Sequence, residues 1–326
     1  MKCIIIKGEA IMAQILKKYP VPATGLMLGL AALGNLIQSY GEVYRNIFGV
    51  LSTILFVLMI AKMIKYPKDI VIALDTPFVA SVFPTFSMTI MLLSTYIKPF
   101  SQTAAFIIWM IGFVLHITLM IWFTKKYVLN FKIRQVFPSW FIVYVGIAVA
   151  SITGPMFKLS AIGKLVFWFG LAAYLVLLGI VLYRVIKIKE IPEPALPSLA
   201  IFAAPASLLL AGYMNSFEMK NMAIVSVLMA LSLIMYAVVI VLMFKLLRIK
   251  FYPSYAAFTF PFAISGICMK LTNGFLIKSG LEIPALKYLI KFQEAVAFVL
   301  IIYILVKYIE FVFAKEKVTI NVNPGK

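Results

Sequence analysis

Histidine occurs once and cysteine twice in the 326 residues. One imidazole, His116, and two thiols far apart in the chain, Cys3 and Cys268, supply neither a zinc-binding cluster nor a Ser-His-Asp set. Cys3 lies near the terminus and Cys268 inside an apolar run, so no disulfide framework is expected. Acidic residues number 11 against 30 Lys and Arg, and no paired carboxylates or Ser-Lys set stands at helical spacing. Acid–base enzymes use such pairs. The chain is therefore not read as an enzyme, and no cofactor or metal is expected. Charged residues of either sign make up 13% of the chain and stand in short blocks between apolar runs.

What remains is apolar. The chain is 64% hydrophobic with a mean hydropathy of +1.06. A soluble domain of ordinary composition is roughly half apolar. Lipid must therefore solvate much of this side-chain surface. The net charge of +19 would suggest nucleic acid in a soluble protein. Here the basic residues sit at the ends of apolar runs and form no continuous stripe, the pattern of membrane-edge Lys and Arg. Nucleic acid is not expected as a partner; the lipid bilayer is. The shortage of acids leaves a positive overall field that favours anions. The apolar stretch Cys3–Ile6 is too short for a signal peptide. Met12 opens a second candidate start, Met12-Ala-Gln, which makes residues 1–11 a candidate upstream extension.

A membrane-crossing helix needs about 20 mostly apolar residues. Ten runs qualify, near 20–38, 43–64, 75–96, 102–124, 136–156, 162–186, 197–215, 219–244, 253–275 and 285–309. Connections are short, so a single membrane domain, 20–313, is expected between an N-terminal segment, 1–19, and a tail, 314–326. Loops on the side of the termini carry 21 Lys and Arg, those on the other side carry 8, and Lys270 lies inside a run. That bias puts both termini in the cytoplasm.

Proline placement shows an internal repeat. Each odd run carries one at a shared phase: Pro22, Pro84, Pro138, Pro205 and Pro261, spaced 62, 54, 67 and 56 residues. Even runs have none in their interiors. Small or polar residues follow, as in Pro84-Thr-Phe-Ser and Pro205-Ala-Ser. Proline inside a helix removes an N–H and frees the carbonyl four residues earlier, and in lipid that group must find a neighbour or water. Kinked odd helices therefore belong inside and plain even helices outside. The expected fold is all-α integral membrane: ten transmembrane helices as five helical hairpins around a central pore, odd helices inner and even helices outer.

The proline-bearing inner helices, the opening Pro22-Ala-Thr-Gly-Leu and the segment Phe258-Thr-Phe-Pro-Phe262 resemble the tellurite-resistance/dicarboxylate transporter family. That family includes the bacterial tellurite-resistance anion channel and the slow-type anion channels of plant guard cells. The resemblance runs from about Pro20 to the end of the tenth run; its motifs are short, and their order and phase carry it. It implies five hairpins around a pore, a homotrimer, and small inorganic or organic anions as substrates; the plasma membrane is the expected location. It also implies that Phe260, by its place in the Thr-Phe-Pro motif, is the gate. Phe83 and Phe137 precede their own repeat prolines, where the first and fourth repeats have Val21 and Ala204.

The expected lining is Thr24, Phe83, Ser87, Phe137, Ser139, Ser207 and Ser265, a neutral surface that holds a permeating ion weakly. The leading reading is an anion channel or channel-like transporter. The alternative on the same fold is a proton-coupled C4-dicarboxylate carrier, or a sulfite or tellurite-oxyanion exporter. Ionisable residues within the runs are functional suspects. His116 is either a proton relay or a neutral histidine bonded between helices, and its even run favours the second. Lys270 and Glu294 come to similar depth, as an ion pair or as an outer-mouth charge. Asp75 reads as a helix N-cap before Pro77, and Gly25 and Gly29 as a close-packing face.

Overall fold

The structure, a computed structural model, describes residue 9 and residues 12–314. Cys3, most of the candidate upstream extension and nearly all of the C-terminal tail lie outside the described residues. Among the described residues 85% are helical and none forms a strand.

The even runs form long helices without interior proline: Glu42–Lys65, Gln102–Val128, Ser160–Ile188, Met222–Leu246 and Pro284–Phe313. At about 1.5 Å per residue, even the shortest spans a hydrocarbon core about 30 Å thick. They expose apolar side chains such as Val50, Ile54 and Val57 on one helix and Val227, Ile234 and Val241 on another. Only 22–33% of the even helices is buried, against 89%, 94% and 61% of the third, seventh and ninth runs. In Ala23–Ile37 every residue but Asn35 is buried. The odd runs thus form the interior and the even runs a sleeve for lipid.

Each odd run is interrupted where its proline stands. Helix Met12–Lys18 meets the next helix at 95° across Pro20 and Pro22. The third run breaks between Pro77–Val82 and Thr85–Ile97. The seventh passes from a 3-10 segment, Glu193–Ala203, to the α-helix Ala204–Ser216. The ninth passes from the 3-10 segment Pro253–Phe258 to Phe260–Lys278. The fifth departs furthest from a plain crossing: it is helical in four pieces, Trp140–Tyr144, Gly146–Ala148, Val149–Thr153 and Gly154–Phe157. Eight helices among the described residues are long and apolar enough to cross a membrane, or nine if the bent N-terminal pair is one crossing. The ten expected runs all carry helix, but the fifth is too fragmented to count by that measure. The chain runs close to its neighbour here: a Cβ at Gly146 would lie 2.8 Å from Met88 Sδ.

The odd runs neighbour one another in the order first, third, fifth, seventh, ninth and back to the first. The closing seam is tight because a Cβ at Gly29 would meet the Thr259 side chain at 2.3 Å. Lys18 donates to the carbonyl of Ala314 at 2.7 Å, which puts both described ends of the chain on one face. Asp75 caps no helix with its side chain; it pairs with Lys126 on the fourth run at 2.5 Å.

Candidate functional site

At the level of the breaks the five odd runs enclose a cavity of about 50 Å³. Every residue around it comes from an odd run. The first contributes Pro22, Gly25 and Leu28, and the third Phe78, Val82, Thr85 and Met88. The fifth contributes Phe141, Val145 and Gly146, the seventh Ile201, Ala204, Pro205 and Leu208, and the ninth Ser254, Ala257, Phe260 and Pro261. None of these side chains is ionisable. Thr85 and Ser254 are the hydroxyl-bearing residues around it, and the Ser254 hydroxyl has no hydrogen-bond partner.

The prolines also orient the helices. α-Helix starts at Ala23, Thr85, Trp140, Ala204 and Phe260, each within two residues of a repeat proline. Proline suits a helix start because the N–H it lacks would be unpaired there. All five starts therefore lie at the cavity, and their first N–H groups bond back to the segments before them, as Thr24 N does to Val21 O and Phe141 N to Pro138 O. The cavity is apolar in its walls.

Hydroxyls near the breaks bond back to carbonyls of the preceding turn. Thr24 bonds Val21 O at 3.0 Å, Ser207 bonds Ala203 O at 2.7 Å and Thr259 bonds Ala256 O at 2.7 Å. Hydroxyls also join neighbouring breaks: Thr85 to Thr24 at 2.7 Å, Ser81 to Ser139 at 2.6 Å, Thr259 to Gly25 O at 2.9 Å and Ser207 to Ser265 at 3.1 Å. Buried hydroxyls without partners would cost free energy, so they turn toward one another and away from the axis.

This decides where the expected lining residues sit. Thr24, Ser87, Ser139, Ser207 and Ser265 are fully buried between helices and do not border the cavity. Phe83 stacks on Phe86 with centroids 5.7 Å apart, and Phe137 sets its edge to Phe78 at 5.4 Å. Neither reaches the cavity, whereas Phe260 does. The sequence reading missed Phe78, Phe141, Leu28 and Leu208. A helical stripe could have found part of this set: Pro22, Gly25 and Leu28, Thr85 and Met88, Phe141 and Val145, and Ile201, Pro205 and Leu208 recur every three or four residues.

His116 is fully buried although it lies on an even helix. Its Nδ1 is 2.9 Å from Ser87 Oγ and its Nε2 is 3.2 Å from Val143 O. The ring ties the fourth run to the third and fifth from behind the cavity wall. His116→Ala should therefore lower stability by about 1–3 kcal/mol, through the partners it orphans. Anion flux and its pH dependence should stay close to wild type in proteoliposomes. A folded variant that loses pH-dependent transport would make His116 a proton relay.

Lys270 is ion-paired with Glu294 and donates to Leu36 O at 2.7 Å and Ser39 Oγ at 2.8 Å. Glu294 also accepts from Tyr40 at 2.6 Å and stands 3.4 Å from Lys291. The cluster joins the ends of the first and ninth runs to the tenth helix, away from the central cavity.

Broken helices converging on a charge-free cavity, inside a sleeve of lipid-facing helices, define a polytopic membrane channel or transporter. A family model described as voltage-dependent anion channel, SLAC1, matches residues 18–309, and the chain belongs to that family. This is the family that the Pro22 and Phe258–Phe262 segments resemble. No curated protein matches the chain. Its family makes it an anion channel or transporter, and its apolar helices an integral multi-pass membrane protein.

Proposed function

We propose that the protein conducts anions passively through the central axis and that the ring of Phe260 closes the path. The observation that carries this reading is the cavity itself: five broken helices meet at walls that hold no titratable side chain. A path without a formal charge does not trap a permeating ion. A carrier coupled to protons needs a titratable group on the path, and His116 and Lys270 both stand off it with partners of their own. Phe260 supports a gate because its ring borders a space of only about 50 Å³, and an apolar constriction blocks ions by excluding water. In the same reading both termini are cytoplasmic, on the bias of Lys and Arg, and three copies assemble, as the family resemblance implies; the membrane is the plasma membrane.

Proteoliposome flux tests the reading. Chloride and nitrate should move down their gradients at rates that an imposed pH gradient does not change, once the membrane potential is clamped. Flux that stops without a proton gradient would install the C4-dicarboxylate carrier in its place. Transport confined to sulfite or tellurite oxyanions would install the exporter.

A further inference from the structure

A second cavity, of about 610 Å³, opens on the face opposite the chain ends. It lies between the ends of the first, third and fifth runs and the start of the second. Leu92 borders it and Met88, one turn earlier on the same helix, borders the central cavity. The two spaces are thus about 6 Å apart along that helix. This basin has polar and charged side chains in its wall where the central cavity has almost none: Asn35, Asn46, Thr95, Arg45 and Lys98 border it beside apolar residues such as Phe100 and Ile152.

Arg45 is the unusual member. It stands on a sleeve helix, yet only 7% of it is exposed. Its seat is built from the sequence upward. A Cβ at Gly34 would lie 2.4 Å from the Tyr96 hydroxyl, and one at Gly49 would lie 2.5 Å from the Tyr96 ring. The two glycines thus form a notch that only a bare backbone permits. Tyr96 fills it and donates to Ala31 O at 2.6 Å. The Arg45 guanidinium lies 4.1 Å from the centre of that ring. Nε donates to Asn35 Oδ1 at 3.0 Å and Nη2 to Thr95 O at 3.0 Å.

Those acceptors are neutral. They fix the guanidinium in place, and its one charged partner among the described residues is Glu42, across a long ion pair. The nearby carboxylate, Glu42, stands 3.7 Å from Nη1 with a side chain 64% exposed, and Gln38 holds it at 2.6 Å. Lys270, by contrast, is closely paired with a buried carboxylate. A fixed guanidinium at the wall of a basin of about 610 Å³, only loosely ion-paired to an exposed carboxylate, attracts anions. Glu42 at the same spot opposes a second negative charge.

Building on the conduction reading, we infer that this basin captures anions at the mouth, with Arg45 as the binding charge and Tyr96 as its platform. It takes small monovalent anions such as chloride and nitrate in preference to dicarboxylates.

The test compares Arg45→Gln, Arg45→Lys and Glu42→Gln in oriented proteoliposomes. For Arg45→Gln the half-saturating chloride concentration on the basin side should rise about tenfold, the loss of one charge-assisted contact. On the other side it should not move, and maximal flux should change little. Arg45→Lys keeps the charge and should recover most of the loss. Glu42→Gln alters an exposed side chain, so it should fold; it should lower half-saturating chloride and raise malate flux. A second readout does not need transport. Nitrate replacing gluconate at fixed ionic strength should raise the melting temperature of detergent-solubilised wild type, less in Arg45→Gln and more in Glu42→Gln. Unchanged half-saturation and unchanged nitrate stabilisation in folded Glu42→Gln and Arg45→Gln proteins would overturn the capture site. Wild-type liposomes without anion flux, but with nitrate stabilisation that follows Arg45, would overturn conduction and leave the site standing.

Discussion

Phe260→Ala raises anion conductance on the order of tenfold, the change that a barrier lower by about 1.4 kcal/mol produces. The expectation follows from where the ring stands. Phe260 opens the helix Phe260–Lys278, directly before Pro261, and borders the central cavity of about 50 Å³. Truncation adds the volume of a phenyl ring to that space and lets water enter a constriction that its apolar walls otherwise keep dry. Anion-over-cation selectivity should remain close to wild type, because the overall charge of +19 persists. Single-channel or whole-cell currents measure both quantities. If the ring serves only as packing, the variant loses stability or yield and gains no current. A well-folded variant with wild-type currents removes Phe260 as the gate. Phe78 and Phe141, which border the same cavity from the third and fifth runs, make the measurement stringent. They remain in place and preserve part of the apolar collar, so any gain reports on Phe260 itself.

Breaking the Lys270–Glu294 pair should cost about 3 kcal/mol, near the lower end of what removing one partner of a buried pair costs. The lower end applies because the Lys270 side chain is 27% exposed, although that of Glu294 is only 6% exposed. Glu294→Ala strips Lys270 of its counter-charge and Tyr40 of its acceptor. Lys270→Ala leaves Glu294 with Tyr40 and the half-exposed Lys291. The double substitution should cost less than the two singles together, with a coupling of about 1–3 kcal/mol. Melting temperatures of the four proteins in detergent close the cycle. Strict additivity would mean that the contact does not act as a pair. A selective loss of anion flux in Lys270→Ala, with stability unchanged, would make Lys270 a mouth charge, as Arg45 is inferred to be.

The inner and outer rings were legible in the chain because lipid tolerates no unpaired backbone. Pro22, Pro84, Pro138, Pro205 and Pro261 each free a carbonyl, and such helices can be satisfied only against one another. The same argument fails for side chains. Thr24, Ser87, Ser139, Ser207 and Ser265 looked like a polar lining, but one turn of helix places a hydroxyl on the axis or against a neighbour. In the structure carbonyls of the preceding turn and the facing hydroxyls claim them. The rings of Phe78 and Phe141 then occupy the axis instead. Arg45 was counted among the few basic residues of the less basic face and given no role. Its seat depends on Gly34, Gly49 and Tyr96 meeting from three helices, which no spacing within one helix reveals.

By itself the sequence determined the solvent, the number of apolar runs and which runs turn inward. Hydropathy and proline act within a single helix, at a range that a linear chain records. Only the tertiary structure decided which side chains reach the central axis, how far the fifth run fragments and where a buried guanidinium borders a basin. Those depend on helix rotation and on contacts between residues far apart in the chain, and the hydrogen bonds and packing that set them exist only once the five hairpins have closed.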